Sequence, residues 1–261
     1  MTSTLDFPGG ELEVLDIPGD DAMPPLVLMH GGLGSVGLWG EFPHALASAT
    51  GRRTVALSRH GHGWSAEPPK PRTPTFMHVE ARTVLPEVLV RLELEDPVLI
   101  GHSDGASIAL IYAAERAVPG LVAIAPHVFV EEVCVREIGR VRERFVHGDL
   151  RGKMAPHHRD VDAAFFNWSD VWLDPEFRAW DIRELVARIT APMLLIQGKD
   201  DQYGTLAQLD EIERLVPGQV ERVHLDCRHA PFVQRPEETV AAVSRFVARL
   251  QAAGRAVRRR G

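Results

Sequence analysis

The sequence contains few features that mark secreted, membrane-spanning or nucleic-acid-binding proteins. Only two of its 261 residues are cysteine, so we expect no disulfide framework and a cytoplasmic location. The longest apolar run covers residues 108–114, far short of the roughly 20 needed to cross a bilayer. Residues 1–21 lack the pattern of a secretory signal. A formal net charge of −7 argues against a nucleic-acid partner, and we interpret the arginine-rich end at residues 255–260 as solvated.

What the chain does contain is typical of an enzyme-sized globular protein. Apolar residues make up 45% of the sequence and charged residues 25%, which excludes a disordered chain. A chain of this length can bury roughly 70–75% of its unfolded surface, so it needs neither disulfides nor metal to fold. We therefore expect a small-molecule substrate and no membrane partner. The sequence leaves the oligomeric state open, with a homodimer among the options.

Short apolar runs alternate with longer stretches of helical periodicity. The runs predict buried strands at residues 26–30, 54–58, 97–101, 121–125, 193–197 and 220–225. The longer stretches predict helices near residues 39–49, 76–94, 105–117, 205–216 and 237–251, with an interruption at Pro86. The alternation predicts an α/β fold whose mostly parallel, doubly wound sheet is covered on both faces.

The alternation breaks once, between Pro126 and about residue 185. This stretch shows helix-like pieces and turns and is rich in aromatic residues. About sixty residues of helix between two sheet strands predict an insertion above the sheet, most simply a lid. We therefore divide the chain into a core, residues 1–126 and 186–261, and a helical cap, residues 127–185.

The strongest chemical signal is the sequence G-H-S-D-G at residues 101–105. It follows a predicted strand and precedes a predicted helix, which is the context that a nucleophile elbow requires. The glycines allow the strand and the helix to approach each other, and the helix N-terminus favours a developing negative charge. We predict that Ser103 is a nucleophile.

A serine nucleophile needs a base to take its proton and an acid to orient that base. His229 follows the last predicted strand and precedes the last helix, so it can reach the carboxyl ends of the strands. Asp200 and Asp201 follow the preceding strand, and either carboxylate can fill the role of the acid.

A glycine-rich loop, H-G-G-L-G at residues 30–34, directly follows the first predicted strand. The N–H groups of Gly32 and Asp104 would form an oxyanion hole, with roughly 3–4 kcal/mol from each donor. The loop lacks the pattern of a phosphate-binding P-loop. We expect substrate contacts from this loop and from aromatic residues of the insertion, namely His30, Leu33, Trp168 and Trp172.

Two histidine-containing clusters, at residues 60–62 and 157–162, suggest metal ligands at first sight. Neither contains H-E-x-x-H, and neither has a partner cluster at ligand spacing. We therefore predict no metal site. The second cluster could instead bind a carbonyl or carboxylate of the substrate.

These motifs resemble the α/β-hydrolase superfamily over nearly the whole chain. Residues 61–65, G-H-G-W-S, resemble its G-x-G-x-S loop, and residues 198–201 resemble its acid turn. The family acid falls three residues after the glycine of that turn, which favours Asp201 over Asp200. The resemblance implies acyl transfer through a serine ester, a helical cap and no cofactor.

Two positions depart from the family pattern. Ser58 stands where the family usually has an aspartate, three residues before the G-x-G-x-S loop. Asp104 follows the nucleophile, where many members have an apolar residue. A carboxylate at this position brings negative charge close to the predicted oxyanion hole.

The residues and the resemblance together predict a serine hydrolase of a small to medium ester, thioester or lactone. Two alternatives stay open. The same residues could cleave carbon–carbon bonds in dienoate-type diketones, or the pocket could belong to a ligand sensor with little turnover.

Overall fold

The computed structural model describes residues 2–68 and 71–258, with side chains up to residue 252. It contains an eight-stranded sheet. The strands are β1 Thr2–Leu5, β2 Leu12–Ile17, β3 Leu26–Met29, β4 Thr54–Leu57, β5 Val98–His102, β6 Leu121–Ile124, β7 Met193–Gly198 and β8 Val220–Leu225. Their order is β1-β2-β4-β3-β5-β6-β7-β8. All pairs from β4 to β8 are parallel, which confirms the predicted fold class.

Strands β1 and β2 were not predicted, and both pair antiparallel at one edge of the sheet. The six predicted strands correspond to β3–β8 with shifts of a residue or so at their ends.

Eleven helices are numbered along the described chain. They are α1 Phe42–Thr50, α2 Phe76–Val79, α3 Leu85–Arg91, α4 Asp104–Glu115, α5 Glu132–His147, α6 Leu150–Met154, α7 Val161–Leu173, α8 Arg183–Val186, α9 Ala207–Leu215, α10 Pro231–Gln234 and α11 Pro236–Arg258. Short 3₁₀ turns cover Gly37–Trp39, Ala155–His157 and Pro175–Ala179. Helix α11 extends past the predicted end at residue 251, and the side chains of the arginine-rich end lie outside the described residues.

The predicted interruption at Pro86 takes the form of a π-helical stretch, Glu80–Val84, between α2 and α3. Because proline has no N–H, it cannot continue the hydrogen-bond ladder of the preceding turns. Helix α3 therefore begins anew with Pro86 in its first turn.

The sheet separates two apolar cores because side chains alternate between its faces. On β3, Leu26 and Leu28 pack in the core that also contains Leu46 of α1 and Phe246 of α11. Val27 and Met29 face the opposite core, which contains α3, α4 and the insertion. Because β3–β8 are parallel, their carboxyl ends lie side by side at one edge of the sheet. The loops that carry the predicted site residues follow these ends.

Helices α5–α8 lie between β6 and β7, and they fall within the predicted insertion at residues 127–185 except for the last residue of α8, Val186. The apolar residues of α5 recur at helical spacing and pack towards α7, where the Phe145 and Phe165 rings stack with centroids 3.7 Å apart. A single backbone bridge between Phe129 and Asp181 joins the two ends of the segment. Among the described helices, none has both the length and the apolar character needed to cross a membrane.

Candidate active site

Ser103 lies at the sharp turn between β5 and α4. Its φ of 53° and ψ of −120° are in the left-handed half of the map, which is strained for a residue with a side chain. The neighbouring glycines are required by space. A Cβ atom at Gly105 would lie 2.1 Å from the Met29 carbonyl oxygen, and one at Gly101 would lie 2.3 Å from the Gly105 carbonyl oxygen. This is the backbone conformation that presents a nucleophile above the end of a sheet.

Asp201 and His229 are joined across the loops that follow β7 and β8. Nδ1 of His229 lies 2.9 Å from both carboxylate oxygens of Asp201, while Asp200 is exposed to solvent. The structure therefore selects Asp201 as the partner of the imidazole. With Nδ1 held by the carboxylate, Nε2 is the ring nitrogen that faces away from Asp201.

The Asp201 carboxylate is buried and held from several sides. The backbone N–H of Tyr203 donates to Oδ1 over 2.8 Å, and the Gln197 side chain donates to Oδ2 over 3.3 Å. Burial alone would raise the pKa of Asp201, but the charge of His229 and the hydrogen bonds from His229 and the Tyr203 N–H outweigh it and lower the pKa. The carboxylate is thus ionised at neutral pH.

Ser103 and His229 line one cavity of about 250 Å³. No hydrogen bond joins their side chains in the structure, and both residues belong to its described part. Such contacts are often long until a substrate is bound. The cavity brings the predicted nucleophile and base together with the predicted loop, His30, Gly32 and Leu33, and with Asp104, Trp168 and Trp172.

Buried polar contacts hold the loop at residues 30–34 in place. The Gly31 carbonyl accepts hydrogen bonds from His30 Nδ1 at 2.7 Å and Arg59 Nη2 at 2.9 Å. The Gly32 carbonyl accepts from His62 Nε2 at 2.7 Å. Because these carbonyl oxygens are occupied on the far side, the loop is held in one orientation relative to Ser103.

His30 was predicted to bind substrate, and its ring does line the cavity. Both ring nitrogens, however, are bound to backbone: Nδ1 donates to the Gly31 carbonyl, and Nε2 accepts from the Arg59 N–H at 2.9 Å. Burial, reinforced by the charge of Arg59, lowers the pKa of His30 well below its ordinary value. The neutral ring therefore shapes the loop and offers the substrate only its apolar surface.

Asp104 is completely buried beside the nucleophile. Its Oδ1 accepts a hydrogen bond from Trp172 Nε1 at 3.2 Å, and its Oδ2 lies 3.8 Å from Arg59 Nη2. Burial raises the pKa of Asp104, while the positive charge of Arg59 opposes that rise. The positive charge of Arg59 thus partly balances the negative charge that Asp104 brings to this position.

Ser58, the other departure from the family pattern, is explained by a neighbouring strand. Its hydroxyl donates to Glu13 Oε2 at 2.6 Å and accepts from the Val36 N–H at 2.8 Å. Glu13 Oε2 also accepts from the Trp64 N–H at 3.1 Å. Strand β2 therefore supplies a carboxylate at this loop.

His127 lines the cavity and was not predicted as a site residue. It follows β6, and its ring centroid lies 6.1 Å from that of His229 and 5.1 Å from that of Trp172. Burial, reinforced by His229, lowers the pKa of His127 to about 3. Its position at the carboxyl end of a strand is the same signal that identified His229.

The two histidine clusters lie next to each other where the insertion packs on the core. His62 holds the Gly32 carbonyl, and His158 Nδ1 accepts a hydrogen bond from the Gly63 N–H at 3.0 Å. Within residues 2–68 and 71–258, no group of three or more potential ligands is placed to hold a metal ion.

A sequence profile described as the alpha/beta hydrolase family matches residues 26–243. The chain belongs to this family. Curated relatives of this alpha/beta hydrolase include the sn-1-specific diacylglycerol lipase ABHD11 of Xenopus tropicalis, 35% identical over 121 residues, which are 44% of this chain and 36% of that protein. Mouse protein phosphatase methylesterase 1 is 36% identical over 107 residues, 39% of this chain and 26% of that protein. The matched stretches thus span about a third of these relatives or less.

Solved structures of low sequence identity share the fold. A bacterial membrane phospholipase A superposes with a TM-score of 0.79 and 22% identity, over 96% of this chain and 86% of that one. The enol-lactonase of Burkholderia xenovorans superposes with a TM-score of 0.75 and 20% identity, over 94% of this chain and 100% of that one. At this level of identity the likeness describes the fold.

Proposed function

We propose that this alpha/beta hydrolase cleaves a small to medium ester, thioester or lactone through an acyl-enzyme formed on Ser103. The observation that carries the proposal is the meeting, at one cavity, of a serine on a strained elbow and a histidine paired to a buried carboxylate. This is the arrangement that activates a hydroxyl for acyl transfer.

In the proposed mechanism, Ser103 Oγ bonds to the substrate carbonyl carbon while His229 Nε2 takes the hydroxyl proton. The carbonyl oxygen becomes an oxyanion, which accepts hydrogen bonds from the backbone N–H groups of Gly32 and Asp104. His229 then gives its proton to the leaving alcohol or thiol. Water deacylates Ser103 by the same route, with His229 as base and then as acid, and releases the carboxylic acid.

The size and lining of the cavity favour a substrate with a compact apolar part. Its volume of about 250 Å³ is small for a ligand site, and most of the lining is hydrocarbon or aromatic. The apolar lining includes Leu33, Leu38, Trp39, Cys134, Ile138, Trp168, Trp172 and Phe232. The relatives named as a lipase, a methylesterase and an enol-lactonase further support an ester or lactone bond as the target.

We also propose that the helical insertion acts as a cap over this cavity. The insertion contributes four residues to the lining of the cavity: Cys134 and Ile138 of α5, and Trp168 and Trp172 of α7. A cap of this kind excludes water from the oxyanion and limits the size of the acyl group.

The test is hydrolysis of a short-chain aryl ester by the wild type, Ser103→Ala and Ser48→Ala. Ser48 is an exposed serine on α1 and serves as the matched control. We expect Ser103→Ala to lower kcat by roughly 10³-fold or more with unchanged folding, and to lose labelling by a fluorophosphonate. Full turnover by Ser103→Ala would exclude the proposed nucleophile, and a panel of thioesters, lactones and vinylogous diketones would then define the reaction class.

A further inference from the structure

Helix α7 of the insertion presents two indole rings to the cavity. Trp168 and Trp172 are four residues apart, so they lie on one face of the helix. Both are buried, and both line the cavity. They contact the two residues whose N–H groups form the oxyanion hole in the proposed mechanism, on which this inference rests.

Trp172 contacts the first of these residues, Asp104. Its indole N–H donates to the buried carboxylate over 3.2 Å. Asp104 is the first residue of α4, so its own backbone N–H has no partner inside the helix. The indole therefore fixes the side chain of the same residue whose N–H is needed by the oxyanion.

Trp168 contacts the second residue, Gly32. A Cβ atom on Gly32 would lie 2.0 Å from Trp168 Nε1 and 2.3 Å from its Cδ1, so no other residue fits without displacing the indole. Gly32 is not among the glycines with positive φ. The glycine is required here because the ring of Trp168 packs directly on the backbone.

From the opposite side, Arg59 links Asp104 to the peptide group between Gly31 and Gly32, which carries the Gly32 N–H. Its Nη2 donates to the Gly31 carbonyl at 2.9 Å and lies 3.8 Å from Asp104 Oδ2. Arg59 is 2% exposed, so this link is fixed in the core. The two halves of the oxyanion hole are thus held between a buried guanidinium and two indoles of the insertion.

We propose that Trp168 and Trp172 are positioning residues that set the two oxyanion-hole amides at the distance required in the transition state. Useful donors lie within a few tenths of an ångström of their place, and an error of about 1 Å can cost roughly 100-fold in rate. The insertion therefore acts on kcat as well as on the choice of substrate.

The experiment compares Trp168→Phe and Trp172→Phe with Trp180→Phe. Trp180 belongs to the same insertion, but its ring stacks on Phe177 with centroids 5.6 Å apart, and it does not line the cavity. All three variants keep an aromatic ring and lose the indole N–H. The measurements are kcat and KM for a short-chain aryl ester, the inhibition constant of an alkyl boronic acid that forms a tetrahedral adduct on serine, and Tm.

We expect Trp168→Phe and Trp172→Phe each to lower kcat by about 10-fold, with KM changed by less than about 3-fold. The boronic acid should bind more weakly by about the same factor as kcat falls, because it depends on the same donors. Trp180→Phe should leave both quantities within about 2-fold. A further variant, Asp104→Asn, keeps an acceptor for the Trp172 N–H and should retain more of kcat than Asp104→Leu.

Two outcomes would overturn the inference. A change in KM alone, with unchanged boronic acid affinity, would make the tryptophans simple substrate contacts. An equal loss of kcat in all three variants, matched by an equal fall in Tm, would make them structural. An active Ser103→Ala variant would instead remove the proposed function itself, so the two failures are distinguishable.

Discussion

The two sides of the active-site cavity are built on different physical principles. On the side of the proposed nucleophile, the turn at Ser103 is fixed by the close backbone packing of Gly101 and Gly105, and Gly32 is packed by the Trp168 ring. Beneath them Arg59 lies 3.8 Å from the buried Asp104 carboxylate. On the acid–base side, Asp201 and His229 lie on loops and are joined by one carboxylate–imidazole contact. Strand β8, which leads to His229, lies at the sheet edge and is largely half-exposed.

Because of this difference, we expect substitutions on the two sides to act on different properties, stability on one side and turnover on the other. Close packing and buried charge contribute to the free energy of unfolding, so changes on the nucleophile side should destabilise the protein. The contact on the acid–base side matters most when a proton moves, so changes there should act on turnover.

The largest effect is expected for Asp201→Asn. Asparagine can occupy the same space, but it does not stabilise a positively charged imidazole and can bind the wrong tautomer of His229. We expect kcat for an aryl ester to fall by about 10⁴-fold. The free energy of unfolding should also fall, because the lowered pKa of Asp201 means that its carboxylate stabilises the fold at neutral pH, but by less than for Arg59→Met. Asp200→Asn, on the exposed neighbour, is the control and should keep wild-type kcat. Equal kcat in the two variants would remove Asp201 from the proposed mechanism.

On the opposite side, Arg59→Met should act chiefly on stability. It removes the cation 3.8 Å from the buried Asp104 carboxylate, leaving the charge of Arg72 to oppose the burial of that carboxylate, and it removes the donor to the Gly31 carbonyl. We expect a cost of about 3–5 kcal/mol in the free energy of unfolding. Arg82→Met is the control, because its ion pair with Glu115 is partly exposed and is worth about 1 kcal/mol or less. Urea denaturation measures both. A cost for Arg59→Met no greater than for Arg82→Met would contradict the contrast between the two sides.

The sequence predicted those parts of the site that depend on chain order. Parallel strands place their carboxyl ends at one edge, so Ser103, His229 and the pair Asp200 and Asp201 could be located from the strands that precede them. The choice of Asp201 within that pair came from the family resemblance. The elbow was recognisable because its glycines are needed for packing wherever the motif occurs. Six of the eight strands followed from apolar runs bounded by glycine or proline.

The parts that were missed depend on contacts between distant segments. Strand β1 has no apolar run, and in the structure it is mostly exposed. Strand β2 is interrupted by Glu13, whose burial depends on hydrogen bonds from the distant Ser58 hydroxyl and the Trp64 N–H. Trp168 and Trp172 were predicted at the site, but their contacts with Gly32 and Asp104 were not, because these depend on where α7 lies over the sheet. Periodicity identifies the apolar face of such a helix but not the residues beneath it.

The smallest effect is expected for His127, whose side chain is 2% exposed beside the cavity. Burial lowers its pKa to about 3, below the ordinary value of about 6.5 that it regains on unfolding. Between these values the unfolded chain binds a proton that the folded chain excludes, so stability is complete above pH 6.5 and is lost as the pH falls towards 3. Between pH 8 and pH 5 this histidine should cost the wild type about 2 kcal/mol.

The measurement is the free energy of unfolding of wild type, His127→Phe and His147→Phe at several pH values. Phenylalanine keeps the edge-on contact with Trp172, and Nδ1 of His127 has no hydrogen-bond partner among the described residues. We expect His127→Phe to flatten the acid side of the stability profile by about 2 kcal/mol at pH 5. His147 is exposed, so its variant should follow the wild type. Parallel profiles for all three proteins would show that folding does not lower the pKa of His127, and its burial would then not account for any loss of stability at acid pH.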